Sequence, residues 1–153
     1  MSRKAAAVVE AVKSYRSADG SPRFVRDVTT LSGYLNQYGA QTFIVDATLG
    51  CDLDAFKEYF AQEHDISMPS SCDGLFLWKD PQGNNDKATR LDRDYSGETL
   101  LFVEFKHAPI FKMANGRVDF LHAGQNGGVD GGCYEASIQK KLEDSCIILM
   151  HTT

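Results

Sequence analysis

Two stretches of this chain are almost wholly apolar and carry charge only near one end: SCDGLFLW, residues 71–78, with Asp73 near its start, and TLLFVEFK, residues 99–106, with Glu104 and Lys106 at its close. Side chains of a strand alternate between faces, so Leu100, Phe102, Glu104 and Lys106 project from one side and Leu101, Val103 and Phe105 from the other. Antiparallel pairing with Asp73 opposite Glu104 places Leu75 opposite Phe102 and Leu77 opposite Leu100, all on one face. That register predicts a sheet with an apolar face and a rim bearing two carboxylates and an ammonium.

Around this pair the pattern predicts further elements. Residues 3–17 read as a helix with Val8, Val9, Val12 and Tyr15 on one side, ending at the Ala-Asp-Gly-Ser-Pro turn of residues 18–22. Thr30-Leu-Ser32 followed by residues 33–38 reads as a short helix closed by Gly39, and QTFIVDA, from Gln41, as a strand ending near Asp46. Asp52 is placed to cap a helix from Leu53 to about His64. Asn115-Gly116, flanked by alternating residues, predicts a type I′ hairpin. The last helix spans about 133–150, with Tyr134, Ile138, Leu142, Cys146 and Leu149 on its core face. Residues 79–98 form a long polar connection and 123–132 a glycine-rich segment.

Composition narrows the class. With 153 residues and 42% hydrophobic content, a single domain, 1–153, with its own core is expected. No stretch approaches the length of an apolar membrane span and the N-terminus shows no secretory cleavage pattern, so a cytoplasmic protein without a membrane partner is expected. Cys51, Cys72, Cys133 and Cys146 form no Cys-x-x-Cys pair and lack zinc spacing with His64, His107, His122 or His151, so reduced thiols are expected. A net charge of -5 argues against broad electrostatic attraction to nucleic acid, and Lys106, Lys112, Arg117, Lys140 and Lys141 are the nearest approach to a basic patch.

Close carboxylates repel unless a cation lies between them, and a hard divalent ion such as Mg²⁺ or Mn²⁺ suits oxygen donors. An Asp on one strand, a Glu-x-Lys on the next, an N-terminal helix bearing a Glu and a later helix with Gln and Lys resemble the PD-(D/E)XK nuclease superfamily. The resemblance spans residues 1–150 and implies an α/β (α+β) fold in which a mixed central sheet, carrying the Asp and the Glu-x-Lys on an antiparallel hairpin, is flanked by helices. It implies Asp73 and Glu104 as metal ligands, Phe105 as a carbonyl ligand, and Lys106 as the lysine that orients or activates water. Glu10 resembles the additional helix acid and Gln139 the helix polar group of exonuclease-like members.

The chain departs from that pattern at Cys72, where many members have proline, and at Glu143, where exonuclease-like members have tyrosine. It also ends before the family's last strand, which implies an open sheet edge suited to a homodimer or a protein partner.

Three functions follow as expectations. The first is a Mg²⁺-dependent nuclease acting on nucleic acid, with Asp73, Glu104 and Lys106 catalytic and Glu10 and Phe105 adding to the metal shell. The second is an inactive nuclease-fold module binding a protein partner in a phage–host conflict or toxin complex. The third is a buried ion-pair cluster that only orders the sheet.

Overall fold

The computed structural model describes residues 5–79, 98–105, 111–120 and 134–152. Its first helix, α1 (Ala5–Lys13), buries Val9 and Val12, as the spacing of its valines requires. A turn with Gly20 at φ 82° leads to β1 (Val25–Asp27). Asp27 then caps a one-turn helix, α2 (Val28–Leu31), its carboxylate accepting from Thr30 N at 2.8 Å.

The next segment departs from the sequence reading twice. Residues 34–41 form a hairpin, β2 (Tyr34–Asn36) with β3 (Gly39–Gln41), where a short helix is expected. Asn36 Oδ1 accepts from Tyr38 N at 2.8 Å and Gly39 has φ 99°. A glycine with positive φ closes a helix or a hairpin equally well, and the Asn side chain selects the turn.

The strand expected from Gln41 is also absent, since only Gln41 of QTFIVDA belongs to a strand and the strand that follows, β4, is Leu49–Asp52. Its β-branched residues have α2 as their neighbour rather than another strand. Hydroxyls do the pairing there: Ile44 N donates to Ser32 Oγ at 3.1 Å and Asp46 N to Thr29 Oγ1 at 2.8 Å.

From β4 onward the expectations hold more closely. Asp52 caps α3 (Leu53–His64), accepting from Ala55 N at 3.0 Å, and Asp65 closes it in the left-handed conformation. The chain then returns to the end of β4, where Leu53 N donates to Asp73 O at 3.2 Å, and β5 (Gly74–Lys79) leaves antiparallel to β4. β6 (Glu98–Val103) pairs with β5 in the expected register, Leu75 opposite Phe102 and Leu77 opposite Leu100. In the hairpin of β7 (Phe111–Ala114) and β8 (Arg117–Phe120), Asn115 and Gly116 both have positive φ, as a type I′ turn demands. The last helix is α4 (Tyr134–Met150).

The main sheet has the order β1-β4-β5-β6, and all its pairings are antiparallel among the described residues. A mixed sheet was the expectation; the return of the chain after α3 to the end of β4 reverses β5 and removes the parallel pair. The fold is α+β. One face of the sheet carries the core: Leu75 and Cys51 pack with Val9 and Val12 of α1, Phe56 and Phe60 of α3, and Ile148 and Leu149 of α4. Phe24 and Phe56 meet edge to face with centroids 5.1 Å apart, and Tyr15 packs on both. On the opposite face the Phe76 ring lies where a side chain at Gly50 would begin, so any larger residue there must displace the ring.

Candidate functional site at the rim of the sheet

The β5–β6 ladder ends at Gly74 and Val103, and the next residues on the two strands are Asp73 and Glu104. Asp73 holds the strands together at this point, because its Oδ2 accepts from Phe105 N at 2.7 Å. Glu104 is turned inward with its side chain 9% exposed. Both acids sit where a strand position of the core face runs out, at the boundary between apolar packing and water.

The counter-ion comes from α4. Lys141 Nζ lies 2.5 Å from Glu104 Oε1. The chain folds this way because α4 is clasped to the segment before β5 by its own polar side chains. Ser145 Oγ accepts from Cys72 N at 2.9 Å and donates to Lys141 O at 2.7 Å, while Asp144 Oδ2 accepts from Ser70 N at 2.9 Å. A third acid, Asp54 in the first turn of α3, accepts from Ser71 Oγ at 2.8 Å and from Lys57 Nζ at 2.7 Å.

The electrostatics follow from that arrangement. Burial raises the Asp73 carboxyl to about 6, with the Glu104 and Asp54 charges pushing the same way against the Phe105 N–H and Lys141. Burial pulls the Lys141 ammonium down, yet the hydrogen bond to Glu104 and the charges of Glu104, Asp73 and Asp54 outweigh it, so its pKa is raised. Asp54 is opposed by burial but stays below the usual carboxylate range through Lys57, Ser71 and Lys141. The rim therefore holds three acids around Lys141, with Lys57 paired to Asp54 at its margin.

Of the residues singled out from sequence, Asp73, Glu104 and the Phe105 backbone come together. Lys106 lies outside the described residues, as do residues 80–97 of the long polar connection and the whole of the glycine-rich segment. Glu10 is 73% exposed, 4.0 Å from Lys13, and no described interaction links it to Asp73 or Glu104. Gln139 is exposed on α4 and donates to Glu143 at 2.9 Å, a contact within the helix. Cys51, Cys72 and Cys146 are free thiols.

The sequence pattern offers Lys141 only as part of a weak basic patch and does not point to Asp54 or Ser145. It assigned α4 a core face through Leu142, which is 42% exposed, whereas Ser145 is fully buried and Ile148 2% exposed. The face turned inward runs through 138, 141, 145, 148 and 152, spaced three and four apart. That spacing was available, but two polar hydroxyls and a lysine on it concealed it.

The donor set at the rim is hard oxygen. Mg²⁺ is commonly held by one or two carboxylates, with water and substrate phosphate filling the remaining positions. Asp73 and Glu104 are the two carboxylates that follow the end of the β5–β6 ladder. Among the described residues no group of three or more His, Cys, Asp or Glu converges to hold an ion. A cation at this rim would have to share Glu104 with Lys141.

Compared with known protein families, with curated proteins and with solved structures, the chain gives no match. Among the described residues no helix is long and apolar enough to cross a membrane.

Proposed function

We propose that this chain is a Mg²⁺-dependent phosphodiester hydrolase of the PD-(D/E)XK type, acting on nucleic acid at the rim where β5 and β6 end. The observation that carries the reading is the register: it makes Asp73 and Glu104 successive rim residues on paired strands, in electrostatic contact and adjacent to a half-buried lysine.

Asp73 and Glu104 would hold the ion, which supplies charge neutralisation for a phosphate being attacked. The protein's residues have distinct tasks. Lys141 keeps its proton because acids surround it, so it acts as a fixed positive charge rather than as a base. That fixed charge orients an attacking water or a phosphate oxygen, the task the resemblance gives to Lys106. Burial that raises the Asp73 carboxyl would be offset by the charge of a bound ion, so in the loaded site Asp73 would serve as an ionised ligand. Ser145 and Asp144 set the position of Lys141 by fixing α4 against Cys72 and Ser70.

The test is cleavage of plasmid and single-stranded DNA and of RNA with Mg²⁺ or Mn²⁺, comparing wild type with Glu104→Gln and Lys141→Met. Metal-dependent cleavage lost in both variants supports the reading. A wild-type protein inert on every substrate leaves the rim as an ion-pair cluster without chemistry.

A further inference from the structure

The face of the sheet turned away from the core carries the positions that alternate with the buried ones: Phe76 and Trp78 on β5, Leu101 and Val103 on β6, and Phe105 just past its end. All five line a cavity of about 380 Å³. Asp46 and Thr48, from the turn before β4, and Leu49 at its start also line it, as do Val28 and Leu77. That turn is fixed in place: Asp46 Oδ1 accepts from Thr48 N at 2.7 Å, Thr29 N donates to Asp46 O at 3.1 Å, and Val28 N donates to Thr48 O at 3.0 Å. Lys13, the last residue of α1, adds a cation to the lining.

The aromatic part of this lining is built in advance. Atoms of the Phe76 ring occupy the places where side chains at Gly50 and Gly74 would begin, so the ring is seated on bare backbone of two strands. Phe76 is only half-buried and Trp78 is 45% exposed, which leaves ring surface of both within reach of a ligand. Phe105 connects the cavity to the rim, because its N–H donates to Asp73 Oδ2 at 2.7 Å while the residue lines the cavity. A flat heteroaromatic ring fits such a space: its faces meet Phe76 and Trp78, and its edges find donors and acceptors at Lys13, Thr48 and Asp46. An acyl chain would set those polar groups against hydrocarbon.

We propose that the cavity receives an unpaired nucleobase, stacked on Phe76 and Trp78, from the strand whose phosphate meets the rim, which makes the substrate single-stranded nucleic acid. The position of that phosphate rests on the hydrolase reading above. In a duplex the base is stacked on its neighbours and its pairing edge is occupied, so it enters only when flipped out or already single-stranded. A net charge of -5 gives little general attraction for phosphates. Stacking on aromatic side chains then supplies the affinity, and it acts on the base rather than the backbone.

Trp78 is the single tryptophan of the chain, so its emission reports occupancy. The probe is a short single-stranded oligodeoxyadenylate, titrated into the full chain with a chelator present so that neither cation nor cleavage takes part. Beside it stand the same strand annealed to oligothymidylate and a sugar-phosphate strand of equal length that lacks bases. The expected result is saturable quenching of Trp78 by the first and by neither of the others. Phe76→Leu, with its fold checked by urea denaturation, should weaken binding about fivefold or more. Trp78→Leu, at an exposed position and read from the anisotropy of a labelled strand, should weaken it by a similar factor. No quenching by the single strand, equal binding of the base-free strand, or a Trp78 response to laurate and not to the strand overturns the proposal. Cleavage assays separate it from the hydrolase reading. Base-dependent binding without Mg²⁺-dependent cleavage upholds the base pocket and counts against the hydrolase, whereas cleavage of duplex and single strand at equal rates upholds the hydrolase and overturns the pocket.

Discussion

Lys141 on α4 and Glu104 at the end of β6 form an ion pair of 2.5 Å that closes the rim of the sheet, with the glutamate 9% and the lysine 25% exposed. Removing one partner of such a pair strands the other charge, whereas removing both need not destabilise. Lys141→Met should cost about 3 kcal/mol of stability. The double substitution Glu104→Leu with Lys141→Met should recover most of that loss. Urea denaturation of the three proteins checks this, and a double variant as unstable as the single one would contradict it.

The pH dependence of stability has a sign that distinguishes Asp73 from its neighbours. Its folded pKa is raised to about 6 from 3.8, so between those values the folded state binds the extra proton. Unfolding then releases a proton, and stability falls as pH rises through that window. Asp54 and Asp144 are lowered in the folded state, so their contribution is present above the ordinary carboxylate pKa and is lost in acid below it. Asp73→Asn keeps an oxygen to accept from Phe105 N while removing the titration. Measured in chelator, wild type minus this variant should therefore lose stability between pH 4 and pH 6. A flat difference across that window would contradict the placement.

The β5–β6 register was readable because seven-residue apolar alternation tolerates only one pairing that buries Leu75, Leu77, Leu100 and Phe102 together. The cap at Asp52 and the turn at Asn115-Gly116 were readable because each answers a local backbone requirement. Residues 42–48 were not, since β propensity describes a residue's preference and not what lies beside it. Here the hydroxyls of Thr29 and Ser32 replaced a neighbouring strand. At the rim, the two carboxylates were visible in the strand pattern, but the lysine that meets Glu104 arrives from a helix 37 positions later in the chain. No local spacing encodes that meeting.

Ser145 is fully buried and its hydroxyl links α4 to the segment before β5. Ser145→Ala leaves Cys72 N without its acceptor and frees Lys141 O, which should cost about 1–3 kcal/mol. Thermal unfolding measures the loss. Ser145→Thr, which retains the hydroxyl, should restore part of it, and an alanine variant as stable as wild type would show that the clasp contributes nothing.

Gly50 offers a test of the opposite face. A methyl group there meets the Phe76 ring directly, so Gly50→Ala should destabilise by about 1–3 kcal/mol through forced displacement of the ring. Adding Phe76→Leu should relieve the clash. Comparing urea midpoints of the single and double variants decides it: a double variant no better than Gly50→Ala would mean that the ring is not the obstacle.

The central claim is that Asp73 and Glu104 jointly receive a divalent cation. Calorimetric titration of Mn²⁺ into wild type, Asp73→Asn and Glu104→Gln measures this without any substrate. The account predicts one saturable site in wild type and a loss of at least about tenfold in affinity in each variant. Absence of binding to the wild-type protein, or uptake unchanged in both variants, would contradict it.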